Sequence, residues 1–115
     1  AQVLRLARRM PDLGVPSEKK GIVDLYDVSD DWIPIYDRTD LAGFYVAIGS
    51  SGNQFKNAPV AGYCMAELIE AVEGGHDHDA DPVVVTGVYT GLEMDMGFYR
   101  RNREINPNSS FSVNG

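Results

Sequence analysis

Residues 43–70, GFYVAIGSSGNQFKNAPVAGYCMAELIE, place an apolar run, a glycine-bearing loop and a helical pattern end to end with no spacer. The run FYVAIG (44–49) is apolar at consecutive positions, as in a strand covered on both faces. A helix follows from about Asn57, a suitable N-cap, with Pro59 in the first turn, where a missing N–H does no harm. Ala61, Met65, Leu68 and Val72 recur at helical spacing, Glu67, Glu70 and Glu73 lie off that stripe, and Gly74-Gly75 end it. A strand, a tight loop and a helix start form an anion-binding device in many proteins, because the leading N–H groups carry roughly half a positive charge. Lys56 adds a full charge. The same loop also reads as a plain strand-to-helix turn whose glycines supply only positive φ.

Outward from this unit the pattern is β-rich. Residues 2–10 (QVLRLARRM) put Val3, Leu6, Ala7 and Met10 on one helical face, and Pro11 and Gly14 stop the helix. A connector (11–21) leads to IVDLYDV (22–28), which reads as a strand, and WIPIY (32–36), a second short strand weakened by Pro34. DRTDLAG (37–43) is a polar turn. PVVVTGVY (82–89) reads as a strand, LEMDMGFY (92–99) alternates loosely like another, and the tail from Arg100 is polar and irregular. The expected class is α+β, with short strands and one long helix.

Composition narrows the function classes. A chain of 115 residues suits one domain with a modest core. With 17 acidic and 10 basic residues the net charge is −7, which disfavours nucleic acid and anionic membrane surfaces as partners. The single cysteine, Cys64, excludes an internal disulfide framework and fits a reducing, cytoplasmic setting; at the edge of the helix stripe it reads as a small core residue. The loop lacks the glycine–Lys–Ser/Thr order of a P-loop, and no GxGxxG occurs anywhere. His76-Asp77-His78-Asp79 has metal-ligand residue types, but its glycine-flanked acidic setting reads as a solvated tip. These are the only two histidines, so no buried base is expected for Ser-His-Asp or Cys-His chemistry. Asp30-Asp31 fits a turn, and Trp32, Tyr45 and Tyr63 read as packing aromatics.

The stretch AIGSSGNQFKNAPVAGYCMAELI resembles the C-terminal flavin-contacting segment of the D-amino acid oxidase family of FAD-dependent oxidoreductases, which includes sarcosine oxidases and glycine oxidase. Gly49, Ser51, Gly52, Phe55, Lys56, Ala58, Pro59 and Gly62 match its G-x-S-G-H-G-F-K-x-A-P-x-x-G pattern; Asn53 stands for the histidine and Gln54 for the second loop glycine. DLYDVSDDWIPIYD is similar to the family's Y-x-x-T-x-D-x-x-P-I-I-G segment, through Tyr26, Ser29 for threonine, Asp31, Pro34 and Ile35. The resemblance covers roughly residues 1–73.

The resemblance implies that Gly49, Ser51, Gly52, Asn53, Gln54 and Phe55 contact a non-covalent FAD, with amides of 52–55 near the pyrimidine oxygens. It further implies that Lys56 holds a substrate carboxylate and that Tyr26 lines the substrate cavity. Asp24 stands where some sarcosine oxidases carry a flavin-linked cysteine, so no covalent bond is expected there. A complete member opens with a Rossmann unit that this chain lacks. The expectation is therefore a C-terminal segment of a larger two-domain enzyme oxidising a C–N bond of a small amine or amino acid. FYVAIG would be the last strand of its parallel FAD-domain sheet, and 22–36 would belong to the substrate domain or its junction. Isolated, the chain is expected to be inactive, to bind FAD poorly, and to self-associate through the apolar face that its partner domain leaves bare. The alternatives are a non-catalytic interaction domain on the same scaffold and a small carboxylate-binding module anchored by Lys56.

Overall fold

A computed structural model describes residues 2–18 and 20–109. The chain is a small α+β fold with two short antiparallel sheets and one long helix. Helix α1 (Gln2–Arg9) and a 3-10 turn (Pro11–Leu13) come first. Strands β1 (Ile35–Arg38) and β2 (Tyr45–Ile48) form one hairpin, a 3-10 turn (Phe55–Asn57) leads into α2 (Ala58–Glu73), and β3 (Val84–Thr86) and β4 (Glu93–Asp95) form the second hairpin, followed by a 3-10 turn (Met96–Tyr99). No helix among the described residues is long and apolar enough to cross a membrane.

Residues 22–28 do not form the expected strand. They lie outside both sheets, with Ile22, Val23 and Leu25 at least 94% exposed, and the Asp27 carbonyl accepts a single backbone bond, from the Ser51 N–H. Strand propensity measures fit to a pleated, half-buried surface, and this segment stays solvent-exposed instead of adding to either two-stranded sheet. The next strand begins three residues later than expected and includes Asp37 and Arg38, which had read as turn. Trp32 takes φ 62° in the turn closed by its N–H to the Ser29 carbonyl, and Pro34 has no N–H to give a ladder. Only from Ile35 can pairing start, in the antiparallel register Ile35↔Ile48 to Arg38↔Tyr45.

Strand β2 is likewise not covered on both faces: Tyr45 and Val46 are half-buried, while Ala47 and Ile48 are exposed. Among the described residues its only ladder is antiparallel, to β1. The run 82–89 pairs only over β3, because Gly87 turns the chain; its N–H reaches the Leu92 carbonyl at 2.8 Å and Gly91 sits at φ 66°. The run 92–99 splits into β4 and a 3-10 turn whose N-cap, Asp95, accepts the Gly97 N–H.

The core lies where α2 crosses both hairpins. Tyr36, Cys64, Leu68, Val85 and Met96 are buried together, with Ala61, Met65, Val72 and Met94 packed around them. The helix stripe is thus the one expected, with Cys64 as a core residue. At about 1.5–3 kcal/mol for each fully buried large side chain, a cluster of this size supports a marginal fold. Two hydroxyls tie the helix to the sheets: Tyr45 donates to Glu73 at 2.7 Å and Tyr63 to the Thr86 carbonyl at 3.3 Å.

Candidate functional site

The loop between β2 and α2 is built by three left-handed residues, Gly49 (φ 71°), Ser51 (φ 51°) and Gly52 (φ 74°). The glycines are needed for space as well as for φ. A Cβ on Gly49 would lie 3.3 Å from Ser29 Cβ, and one on Gly52 would lie 3.1 Å from the Tyr26 ring. The two sequence stretches that carry the family resemblance therefore touch: Ser29 and the backbone of Pro34 and Ile35 back Gly49, and Tyr26 covers Gly52.

Asp27, between them, organises the loop. Its Oδ2 accepts the N–H groups of Gly49 and Ser50, its Oδ1 accepts the Ser50 hydroxyl at 2.8 Å, and its carbonyl accepts the Ser51 N–H at 2.9 Å. The Ser50 hydroxyl and then these amides hold the Asp27 carboxyl below the ordinary carboxylate range. A built-in carboxylate thus already occupies the first half of the turn. No sequence signal marked Asp27; it lies in a wildcard position of the motif.

The second half is different. Ser51 is fully buried, its hydroxyl donating to the Gly49 carbonyl at 3.1 Å. The Asn53 N–H goes to the Ser50 carbonyl and the Asn57 N–H to the Gln54 carbonyl. Among the described residues, the N–H groups of Gly52, Gln54 and Phe55 meet no protein acceptor, and no side chain caps the start of the 3-10 turn or of α2. Asn57 is the boundary residue of α2 but not a cap: it has helical φ and ψ, and its amide donates to Gln54 Oε1 at 3.0 Å instead. The preceding 3-10 turn has already wound the backbone, so the side chain no longer overhangs the free N–H groups.

Gln54, a glycine in the family pattern, folds inward. Its Oε1 accepts the Tyr36 hydroxyl at 3.3 Å and its Nε2 donates to Asn53 Oδ1 at 2.6 Å. Phe55 (97% exposed) and Lys56 stand outside, and Lys56 forms no ion pair among the described residues. Tyr26 is about half exposed. The arrangement offers a short row of free N–H donors, a free cation and a phenol edge at one end of a 16-residue helix, suited to an oxygen-rich, partly anionic group.

The HDHD tract is only half a solvated tip: His76 and Asp77 are exposed, but the second His-Asp pair turns inward. His78 is fully buried, with Nδ1 accepting the Val83 N–H at 3.0 Å and Nε2 3.6 Å from Asp37 Oδ1, itself fully buried. Arg101 donates its N–H and Nη1 to Asp37 Oδ2, at 2.8 and 3.0 Å, and reaches Asp79 and Asp40 as well. Arg38 completes the cluster on Asp79. Desolvation lowers the His78 pKa, with Asp37 opposing, and the arginines hold the Asp79 carboxyl at about 2. Only Nδ1 is hydrogen-bonded; Nε2, 3.6 Å from Asp37 Oδ1, is buried without a hydrogen-bond partner, and among the described residues no hydroxyl or thiol is paired with either nitrogen, so the ring packs as part of the charge cluster and not as a catalytic base. Among the described residues no three His, Cys, Asp or Glu side chains gather as a metal site. A parallel clasp joins Asp31, the motif aspartate, to Arg103, whose Nη2 and Nε donate side by side to the two carboxylate oxygens at 2.7 and 3.1 Å.

No family model, curated protein or solved structure matches the chain.

Proposed function

We propose that the chain is the flavin-facing C-terminal segment of an FAD-dependent oxidoreductase that oxidises a C–N bond of a small amine or amino acid. The supporting observation is the meeting of Tyr26 and Ser29 with Gly52 and Gly49, which puts two separately recognised motif stretches against each other at the uncapped start of α2. In this reading the free N–H groups of Gly52, Gln54 and Phe55 receive the pyrimidine oxygens of the flavin ring. They favour its reduced, anionic form, as oriented dipoles do at a site of developing charge. Lys56 attracts the substrate carboxylate, and Tyr26 bounds the space beside it. Asp27 shapes the loop but adds negative charge nearby, so flavin and substrate depend the more on Lys56. The ADP half of FAD needs a dinucleotide-binding unit outside these residues, and the chain alone binds FAD weakly.

The test is to express the complete reading frame that contains this sequence and record its absorbance. A bound flavin bleached anaerobically by sarcosine, dimethylglycine or glycine is the expected result; a colourless protein overturns the reading. In that enzyme Lys56→Met should raise KM at least tenfold while flavin stays bound, and unchanged kinetics would remove the role given to Lys56.

A second reading, a non-catalytic interaction domain, is favoured by the uncovered apolar side chains of Ile22, Val23, Leu25 and Tyr89. It is the one left standing if the complete protein folds and carries no flavin.

A further inference from the structure

Beneath the first turns of α2 lies a cavity of about 220 Å³, separate in its chemistry from the amide row above it. It is lined by Tyr36, Ala61, Cys64, Met94, Met96 and Tyr99, with Gln54 and Asn57 from the start of the helix. Among the described residues no charged side chain lines it. An ionised ligand would therefore lose water without gaining a partner, which excludes carboxylates and ammonium groups from this space.

The walls select further. Cys64 Sγ and Met94 Sδ lie 3.9 Å apart, and the Tyr36 and Tyr99 rings meet at 5.3 Å between centroids, tilted 39°. Thioether and thiol sulfur are polarisable and make favourable contacts with ring edges, and the tyrosines offer edge and face contacts. A cavity of roughly 150 Å³ already holds benzene, so this one has room for a single substituted ring and none for a dinucleotide. Two polar atoms at its boundary are unspent among the described residues: the Tyr99 hydroxyl has no hydrogen bond, and Asn57 uses only its amide nitrogen, leaving Oδ1. Gln54 and the Tyr36 hydroxyl, by contrast, are already bonded to each other.

We propose that this cavity binds one small uncharged aromatic molecule bearing a hydroxyl or amino group, the ring among the sulfurs and tyrosines and the polar group on Asn57 Oδ1 and the Tyr99 hydroxyl. The site does not depend on flavin, so it can be tested on the 115-residue chain itself.

Phenol is the probe, followed by amide and methyl NMR shifts, with cyclohexanol and benzoate as controls. Phenol should saturate with a dissociation constant on the order of 1 mM, as expected for so few heavy atoms, and the shifts should centre on Ala61, Cys64, Met94 and Met96. Benzoate should not bind, and cyclohexanol should bind at least fivefold more weakly. Ala61→Leu, which fills the space with a good helix former, should weaken phenol tenfold or more. Tyr99→Phe should weaken phenol but not toluene. Equal binding of cyclohexanol and phenol overturns the aromatic assignment. Shifts spread over residues 22–28 and Val88–Tyr89, or binding untouched by Ala61→Leu, overturn the site.

Discussion

Single residues carry the constraints that shape the amide loop and its supports. Gly52 combines φ 74° with a Tyr26 ring 3.1 Å from where a Cβ would stand. Gly52→Ala should destabilise by about 2 kcal/mol and make Tyr26 more accessible, checked by urea unfolding and tyrosine fluorescence quenching. Arg103→Met leaves Asp31, 3% exposed and titrating at about 2, without its guanidinium. Breaking a pair on a buried carboxylate should cost about 3 kcal/mol or more and move the Asp31 titration upward, both readable by NMR-monitored unfolding. His78 sets a pH dependence. Its folded pKa is depressed below 6.5 by burial, so the unfolded chain takes up the proton first. That contribution is complete above pH 6.5 and is lost as pH falls toward the folded value. Asp31 and Asp79, at about 2, add a second loss from about pH 3.8 downward. The urea midpoint should be level between about pH 7 and pH 8 and fall below that in two stages, with His78→Gln removing only the first; a first stage that survives the substitution refutes this account.

At the level of elements, the sequence made α2 plain and hid much of the rest. The Ala61, Met65, Leu68, Val72 stripe and the Gly74-Gly75 stop locate the helix because both signals are local. Leu68, with no exposed surface, should cost about 2–5 kcal/mol as Leu68→Ala in the same assay. Strand β1 was obscured because Asp37 and Arg38 look like turn chemistry until their partners, Arg101 and Asp79, are brought up from far along the chain. The burial of His78 was hidden for the same reason, although three arginines in a short tail, facing an excess of loop carboxylates, were a usable hint. The run 22–28 shows the converse failure, strand-like composition left exposed outside both sheets. Asn57 separates two accounts of the helix start. A capping asparagine is worth about 1 kcal/mol, whereas the observed exposed bond to Gln54 predicts a loss within about 0.5 kcal/mol for Asn57→Ala.

Taken whole, the chain is too extended for its length. Its radius of gyration is 18.5 Å with a longest extent of 58 Å, against about 13 Å for a compact domain of this size. Along the N-terminal arm, α1 keeps Val3, Leu4, Leu6 and Met10 half exposed, and 22–25 lie bare. Removing residues 1–21 should therefore leave the thermal midpoint within about 2 °C of the intact chain, since they bury little apolar surface. The same deletion should lower the scattering radius markedly and reduce any self-association seen by sedimentation. A large fall in midpoint would mean that the arm folds onto the body in solution.

The two arginine clasps also set an order of assembly. Arg101 meets Asp37 across 64 residues of chain and Arg103 meets Asp31 across 72. A polypeptide still leaving the ribosome presents both carboxylates long before either guanidinium has been made. Until the tail arrives, the first hairpin has α2 to pack on but neither guanidinium to neutralise its carboxylates. Premature termination at position 100 would spare every strand and the long helix, yet release a protein whose first sheet has lost its fasteners.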